Sequence, residues 1–458
     1  MLTQTARPAR IEPPDRPLPL FRLLRTIVDN PVRAWPRALY RDRLYRSHVL
    51  GRDNVYVMAP DLIRTVLLDD ADSFEKGEIA RRALGPALGD SILIADGSRW
   101  RWQRRAVAAI FRQERIRNYL PAMIAAAERT RDRWQALPPG AEIDVAHEMT
   151  QTTFDIILST MLPGRGSIDS ELMERSVTAY LESTSWVIAL VTIGAPSWTP
   201  FPGILRTHRN RKRLHAMLES LIDEAGRTPG DGNDLLTHLL KATDPETGRT
   251  MNANDVRNNL LTFVTAGHET TALALTWTFY LLSLYPEVAQ RVKAEIAAVT
   301  GGGAVRPEHI EALLFTTQVI QEAMRLYPPA ALIVREARRD LVLDGAQVRA
   351  GSTIYIPVYA VHRHETLWSE PDRFDPSRFA PEAAKARDRF SYLPFGAGPR
   401  ICVGQGFALL EAVTVLATLL PSFQFQLRPG YAPEPRLRVT LRPAAGMPMR
   451  ITPLRSDA

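Results

Sequence analysis

Two residue types that often declare a function are scarce in this chain. Its 458 residues include one cysteine, Cys402, and only five lysines among 57 basic side chains. A single cysteine excludes an internal disulfide, a multi-cysteine zinc site and an iron–sulfur cluster. What remains is a buried apolar thiol, a reactive nucleophile or a single soft metal ligand. One unpaired thiol also suits a reducing compartment, so a cytoplasmic location is expected. The net charge of +7 rests on scattered arginines with no basic run of the kind that binds nucleic acid, which is therefore not an expected partner.

Long apolar runs are missing from the N-terminus. Pro8, Pro13, Pro14, Pro17 and several arginines break it up, so neither a signal peptide nor a transmembrane anchor is expected there. There are no internal repeats and no low-complexity linker; the polar run from Thr228 to Asp234 reads as a loop between two helices. At 45% hydrophobic the chain can bury a large core. A single domain over 1–458 is expected, monomeric, with 1–17 as a flexible N-terminal segment.

The stretch SYLPFGAGPRICVGQG, Ser391 to Gly406, surrounds the cysteine and runs into the apolar segment Phe407 to Leu420. It is too rich in glycine for a helix, whereas the segment behind it has helical spacing, so the sulfur should lie just before a helix N-terminus. There the helix dipole and unpaired N–H groups favour thiolate. Gly404 lets backbone approach and donate to the sulfur, and Arg400 supplies a cation for a carboxylate. A dinucleotide loop is excluded, because Gly396 and Gly398 lack a third glycine at the required spacing.

Phe395-Gly-Ala-Gly398-Pro-Arg400-Ile-Cys402-Val-Gly404 resembles the haem-binding signature of the cytochromes P450, with every fixed position filled. The resemblance implies a mainly α fold with small β-sheets and haem b, iron protoporphyrin IX, held by Cys402. It also implies that Arg400 meets a haem propionate.

Three further stretches agree, in order. Trp100 and Arg104 are four apart on a helix opening at Gly97 and so share a face. A half-buried tryptophan beside a surface arginine explains them equally well, but they resemble the family's propionate-binding pair. From Asn254 to Tyr285 runs the longest helical pattern, interrupted by Ala266-Gly267-His268-Glu269-Thr270-Thr271, where glycine and paired β-branched residues weaken a helix interior. Ala266 and Gly267 permit close approach to a haem face. Thr270, on the face of Ala266, can hydrogen-bond oxygen and organise a water, and Glu269 can relay protons from solvent. The bland alternative is a hydroxyl bonded back to the carbonyl four residues earlier, beside a solvated glutamate. His268 points off that face and is read as packing. Finally, Glu322 and Arg325, three apart, resemble the family's E-x-x-R pair. Arg378, in Phe374 to Phe379, resembles its third partner, which implies a structural role in haem incorporation.

The remaining chain reads as helices over Asp61 to Leu68, Pro121 to Leu137, Val145 to Met161 and Ile168 to Thr192. Strands are expected on either side of Gly51 and over Leu341 to Leu343 and Thr353 to Pro357. Phe74 to Asp96 reads as an irregular loop with an apolar rim. Arg335 is expected, by resemblance, at a second propionate. The apolar pocket is expected to include Ile92, Leu93, Ile94, Phe263, Val264, Ala330 and Leu332. The loop Gly194 to Gly203, with Trp198 and Phe201, is expected first to pack on the protein, then to act as a lid, and last to touch a membrane.

The resemblance implies a monooxygenase that uses O2 to hydroxylate a lipophilic molecule, fatty acid or terpenoid in type. Nothing in the chain resembles a fused reductase. Electrons would come from NAD(P)H through a reductase and a ferredoxin or flavodoxin. A peroxide-driven peroxygenase and a haem sensor or carrier are the rivals, and neither needs Glu269 and Thr270.

Overall fold

Asn252 starts the longest helix among the described residues. Its side chain accepts the Asp255 N–H at 2.9 Å, and Asp255 reaches back to the Asn252 N–H at 3.3 Å, so two otherwise unpaired donors are satisfied reciprocally. The helix runs over Ala253–Leu284 and ends before Pro286, which opens the next helix, Pro286–Thr300.

The structure is a computed structural model and describes residues 7–49, 51–161, 176, 180, 184, 186–227 and 234–454. In chain order the helices used below are α1 (Leu20–Asp29), α2 (Gly77–Ala83), α3 (Gly85–Leu88), α4 (Gly97–Ala108), α5 (Leu120–Gln135), α6 (Val145–Met161), α7 (Ile204–Arg227), α8 (Ala253–Leu284), α9 (Leu314–Leu326) and α10 (Gln405–Leu419). Strands β1 (Leu44–Val49), β2 (Arg52–Val57), β3 (Phe74–Glu75), β4 (Ala141–Asp144), β5 (Ile333–Ala337), β6 (Leu341–Leu343), β7 (Ala346–Val348), β8 (Thr353–Ile356), β9 (Phe423–Leu427), β10 (Pro435–Leu437), β11 (Leu441–Pro443) and β12 (Pro448–Pro453) complete it. The fold is mainly α with small sheets, as expected. The largest sheet has the order β1-β2-β8-β5-β3, with β2 and β8 parallel and the other pairs antiparallel; β4-β12-β9 form a second. Helix α8 packs against α6, α9 and α10 and is therefore apolar on most of its circumference.

Gly267 lies where α8 crosses α6. A Cβ there would stand 2.8 Å from Ile157 Cδ1, so its smallness serves helix packing, and Gly267 lines the cavity beside Ala266 as well. The expectation of an irregular loop over Phe74 to Asp96 is corrected: the segment is helical at α2 and α3. Pro86 does not break the chain there, because the first turn of α3 has no use for its missing N–H.

The N-terminal segment expected to be flexible is fastened from Pro8 onward. The Ala9 N–H donates to Tyr280 at 3.0 Å, the Ala9 carbonyl accepts from Tyr327 at 2.7 Å, and the Ile11 N–H donates to Tyr359 at 3.3 Å. Ile11 is buried in the core, and burial there offsets the cost of ordering the segment. Residues 228–233 of the loop read at Thr228 to Asp234 and much of the helix read at Ile168 to Thr192 lie outside the described residues; 186–192 are helical. Trp198 is 79% exposed, so the expectation that it packs on the protein fails.

Candidate active site

A cavity of ≈ 740 Å³ lies between α8 and the loop that precedes α10. Cys402 lines one side; Ala266 and Thr270, one helical turn apart, line the other. The Cys402 N–H donates to the Phe395 carbonyl at 2.9 Å, which closes the loop on itself. Gly398 has φ +71°, and a Cβ there would sit 1.8 Å from the Leu67 carbonyl oxygen, so the loop needs glycine at that point. Gly404 caps α10, two residues beyond the sulfur. A Cβ on Gly404 would meet only ordinary contacts, Phe111 at 3.8 Å and the sulfur at 4.0 Å.

The thiolate preference expected from the helix terminus is opposed by the apolar setting of the sulfur. Burial pushes the Cys402 thiol up, and the Gly404 N–H and Arg104 only oppose it. A metal cation supplies what the fold alone does not, because coordination releases the thiol proton.

One wall of the cavity is crowded with cations. Arg104, Arg335 and Arg400 line it, as expected, together with Trp100 and with Lys76, which the sequence did not single out. Burial pulls Arg335 down to about 10, with Arg400 pushing the same way and Asp96 opposing. Lys76 is pulled well below the usual lysine range by burial, then by Arg335 and Arg400. Burial also lowers Arg104, against the nearby sulfur. Arg400 stacks 4.4 Å above the Trp100 ring, donates to the Ala95 carbonyl at 3.0 Å and pairs with Asp96. Cations depressed by burial and by one another, with Asp96 the carboxylate among them, form a site suited to further negative charge. Two propionates over a sulfur ligand fit this donor set, so the residues present suit an iron porphyrin.

On the opposite side Thr270 donates to the Ala266 carbonyl at 2.8 Å, so the bland alternative for this hydroxyl describes its own bond. The donation leaves its oxygen lone pairs to accept from whatever occupies the cavity. Glu269 is not solvated. It accepts from Thr440 at 2.7 Å and pairs with Arg442, both in the turn around β11. His268 is packing, as expected: its Nδ1 lies 2.6 Å from the Val264 carbonyl, its ring meets Phe154 edge-on, and burial lowers its pKa.

Ile92, Leu93, Phe263, Ala330 and Leu332 line the cavity, but Val264 and Ile94 do not. Val264 shares the His268 face of α8, which is turned into the core, and Thr262 and Thr265 take its place on the lining. The segment Leu437 to Thr440 also lines the cavity.

Behind the cysteine loop lies the expected triad. The Arg325 guanidinium makes two bonds to Glu322, at 2.6 and 2.8 Å, and donates to the carbonyls of His362, Pro371 and Arg373. Both side chains are fully buried, and Arg378 stands 3.5 Å from Glu322. His362, held neutral by burial, accepts the Leu393 N–H at 2.7 Å and so joins this network to the start of the cysteine loop.

A fold with a lone sulfur facing a small-residue helix turn across a cation-walled cavity defines a haem-thiolate enzyme. Residues 13–448 match the family described as Cytochrome P450, and the chain belongs to that family as a monooxygenase. It is 33% identical over 88% of its length to cyclooctatin synthase of Streptomyces melanosporofaciens, covering 87% of that protein. It is also 33% identical, over 83% of its length and 82% of the relative's, to cyclooctat-9-en-7-ol 5-monooxygenase of the same organism. Human cytochrome P450 4F12 is 31% identical over 86% of this chain and 79% of its own. The crystal structure of cytochrome P450DA heme domain superimposes with a TM-score of 0.84, at 24% identity, covering 98% of this chain and 99% of that one.

Proposed function

We propose that the protein hydroxylates a lipophilic small molecule of terpenoid or fatty-acid type at a haem b, with electrons from a separate ferredoxin or flavodoxin and its reductase, fed by NAD(P)H. The observation that carries this reading is Cys402 facing Ala266 and Thr270 across an apolar cavity with its cations on one wall. The names of the two Streptomyces relatives support a largely hydrocarbon substrate.

Bound there, the haem iron supplies oxygen activation, with the thiolate favouring O–O cleavage. The chain supplies the rest. Cys402 is the iron ligand, Phe395 and Gly404 hold its loop, and Trp100, Arg104, Arg335 and Arg400 bind the propionates. Thr270 accepts a hydrogen bond from a water or substrate oxygen in the cavity. Glu269 hands protons on once it leaves Arg442 and Thr440. Ile92, Phe263, Ala330 and Leu332 exclude bulk water and hold the substrate. Glu322, Arg325 and Arg378 keep the loop in shape for haem incorporation.

Two measurements test this. The reduced, CO-bound protein should show the red-shifted haem band of thiolate ligation; its absence refutes the role of Cys402. Turnover with a surrogate ferredoxin and reductase should exceed turnover with hydrogen peroxide. The reverse order makes the protein a peroxygenase, and turnover with neither makes it a sensor or carrier.

A further inference from the structure

Asn259 lies on α8 seven residues, or two turns, before Ala266, and is fully buried, as is Gln103 on α4. A buried amide has to place both its donor and its acceptor. Asn259 Oδ1 accepts the Ile92 N–H at 2.9 Å. Its Nδ2 donates to Gln103 Oε1 at 2.8 Å and to the Asp255 carbonyl at 2.9 Å. Gln103 Nε2 then donates to the Asp90 carbonyl at 2.9 Å. Two side chains from two helices thus grip one short stretch, Asp90 to Ile92, at both of its ends.

That stretch carries the cavity wall. Ile92 and Leu93 line the cavity, and three residues further on Arg400 of the cysteine loop holds the Ala95 carbonyl and Asp96. Just before it, Gly89, with φ +53°, passes so close to Asn258 that a Cβ would stand 2.4 Å from its amide nitrogen. The wall is therefore stretched between the oxygen-side helix and the propionate wall, and its position relative to Ala266 is decided by the Asn259–Gln103 pair.

We propose that Asn259, acting with Gln103, is a positioning residue that fixes where Ile92 and Leu93 stand over the reacting centre and so determines which apolar substrates fit. The inference rests on the haem-thiolate reading above. None of the strut's hydrogen bonds goes to the reacting atoms or to the side chains that would bind the haem, so its loss moves a wall and leaves the iron site intact.

Two nitrogen ligands of different reach separate the effects in haem-loaded protein. Imidazole binds the iron without reaching the wall, whereas the phenyl ring of 4-phenylimidazole extends into the substrate cavity. Asn259→Ala should weaken 4-phenylimidazole by about tenfold, the order that one lost apolar contact gives in a pocket, and leave imidazole unchanged. Gln103→Leu should move the ratio the same way, and the double variant should be no worse than the stronger single, because both act on one strut. An unchanged ratio in a folded, haem-loaded variant overturns the proposal. A general loss of stability would lower Tm without moving the ratio. If neither ligand shifts the spectrum of the parent protein, it is the haem-thiolate reading that fails. Should neither variant fold, amide exchange of the parent decides: Ile92 exchanging as fast as an exposed loop amide overturns the strut.

Discussion

The Thr414 hydroxyl on α10 finds no hydrogen-bond partner among the described residues, and one turn before it Glu411 is fully buried, with the Thr271 side chain beside its carboxyl. Burial pushes its pKa up to about 8, with Thr271 easing it only partly. The unfolded chain titrates the same group near about 4.3. The folded state thus holds this proton over a window in which the unfolded state releases it. Stability from Glu411 is full below the unfolded pKa and falls as pH rises toward about 8. Melting temperature measured from pH 5 to 8 should decline with pH, and Glu411→Gln should flatten the decline; a variant with the parent slope contradicts the assignment. Two glycines of the cysteine loop give a second contrast at this scale. Gly398→Ala puts a methyl group 1.8 Å from the Leu67 carbonyl at positive φ, so little haem should be recovered per chain. Gly404→Ala meets nothing nearer than 3.8 Å and should keep its haem, although both glycines look equally fixed in the sequence.

Between elements, the buried Glu322–Arg325 pair is a joint and not a surface ornament. It binds α9 to carbonyls of three later residues and, through His362, to Leu393 at the head of the cysteine loop. Glu322→Ala leaves a buried guanidinium without its carboxylate, at a cost of roughly 3–5 kcal/mol. Denaturant midpoint and haem content should fall together; normal haem loading at normal stability would show that the joint is dispensable. The pairs Glu322/Arg325, Trp100/Arg104 and Ala266/Thr270 were legible because spacing along a helix sets which side chains share a face. The partners of Glu269 and Asn259 were not. Arg442 lies 173 residues from Glu269, and Gln103 lies 156 from Asn259, separations at which no local pattern operates. Lys76 was missed for the same reason, since its cation matters only beside Arg335 and Arg400.

For the molecule as a whole, the layout of helices and small sheets was legible, because most helices announce themselves by the period of their apolar residues. What composition could not supply was which charges face out. Of the arginines dense around α4, Arg101, Arg105 and Arg117 are paired with Asp72, Asp244 and Glu311. Arg112 and Arg115 are exposed and make no ion pair among the described residues. They flank the packing of Phe111 and Ile116 against Gly404 and Gly406, which puts them on the sulfur side of the cavity. An acidic electron carrier would meet them there. Its reduction of the protein should slow with ionic strength, and Arg112→Glu with Arg115→Glu should slow it by about tenfold at low salt. A rate indifferent to both excludes this face. The helix most apolar by composition, over Gln405–Ser422, is the core helix α10 and its last turn, packed against α5, α8 and α9.

The fastening of the N-terminal segment bears on the order of events during synthesis. Ala9 and Ile11 leave the ribosome well before their partners Tyr280, Tyr327 and Tyr359, the last 348 positions later. Ala9 and Ile11 therefore cannot lock until those later tyrosines are in place, so their fastening records whether the helices and strands that carry the partners have folded.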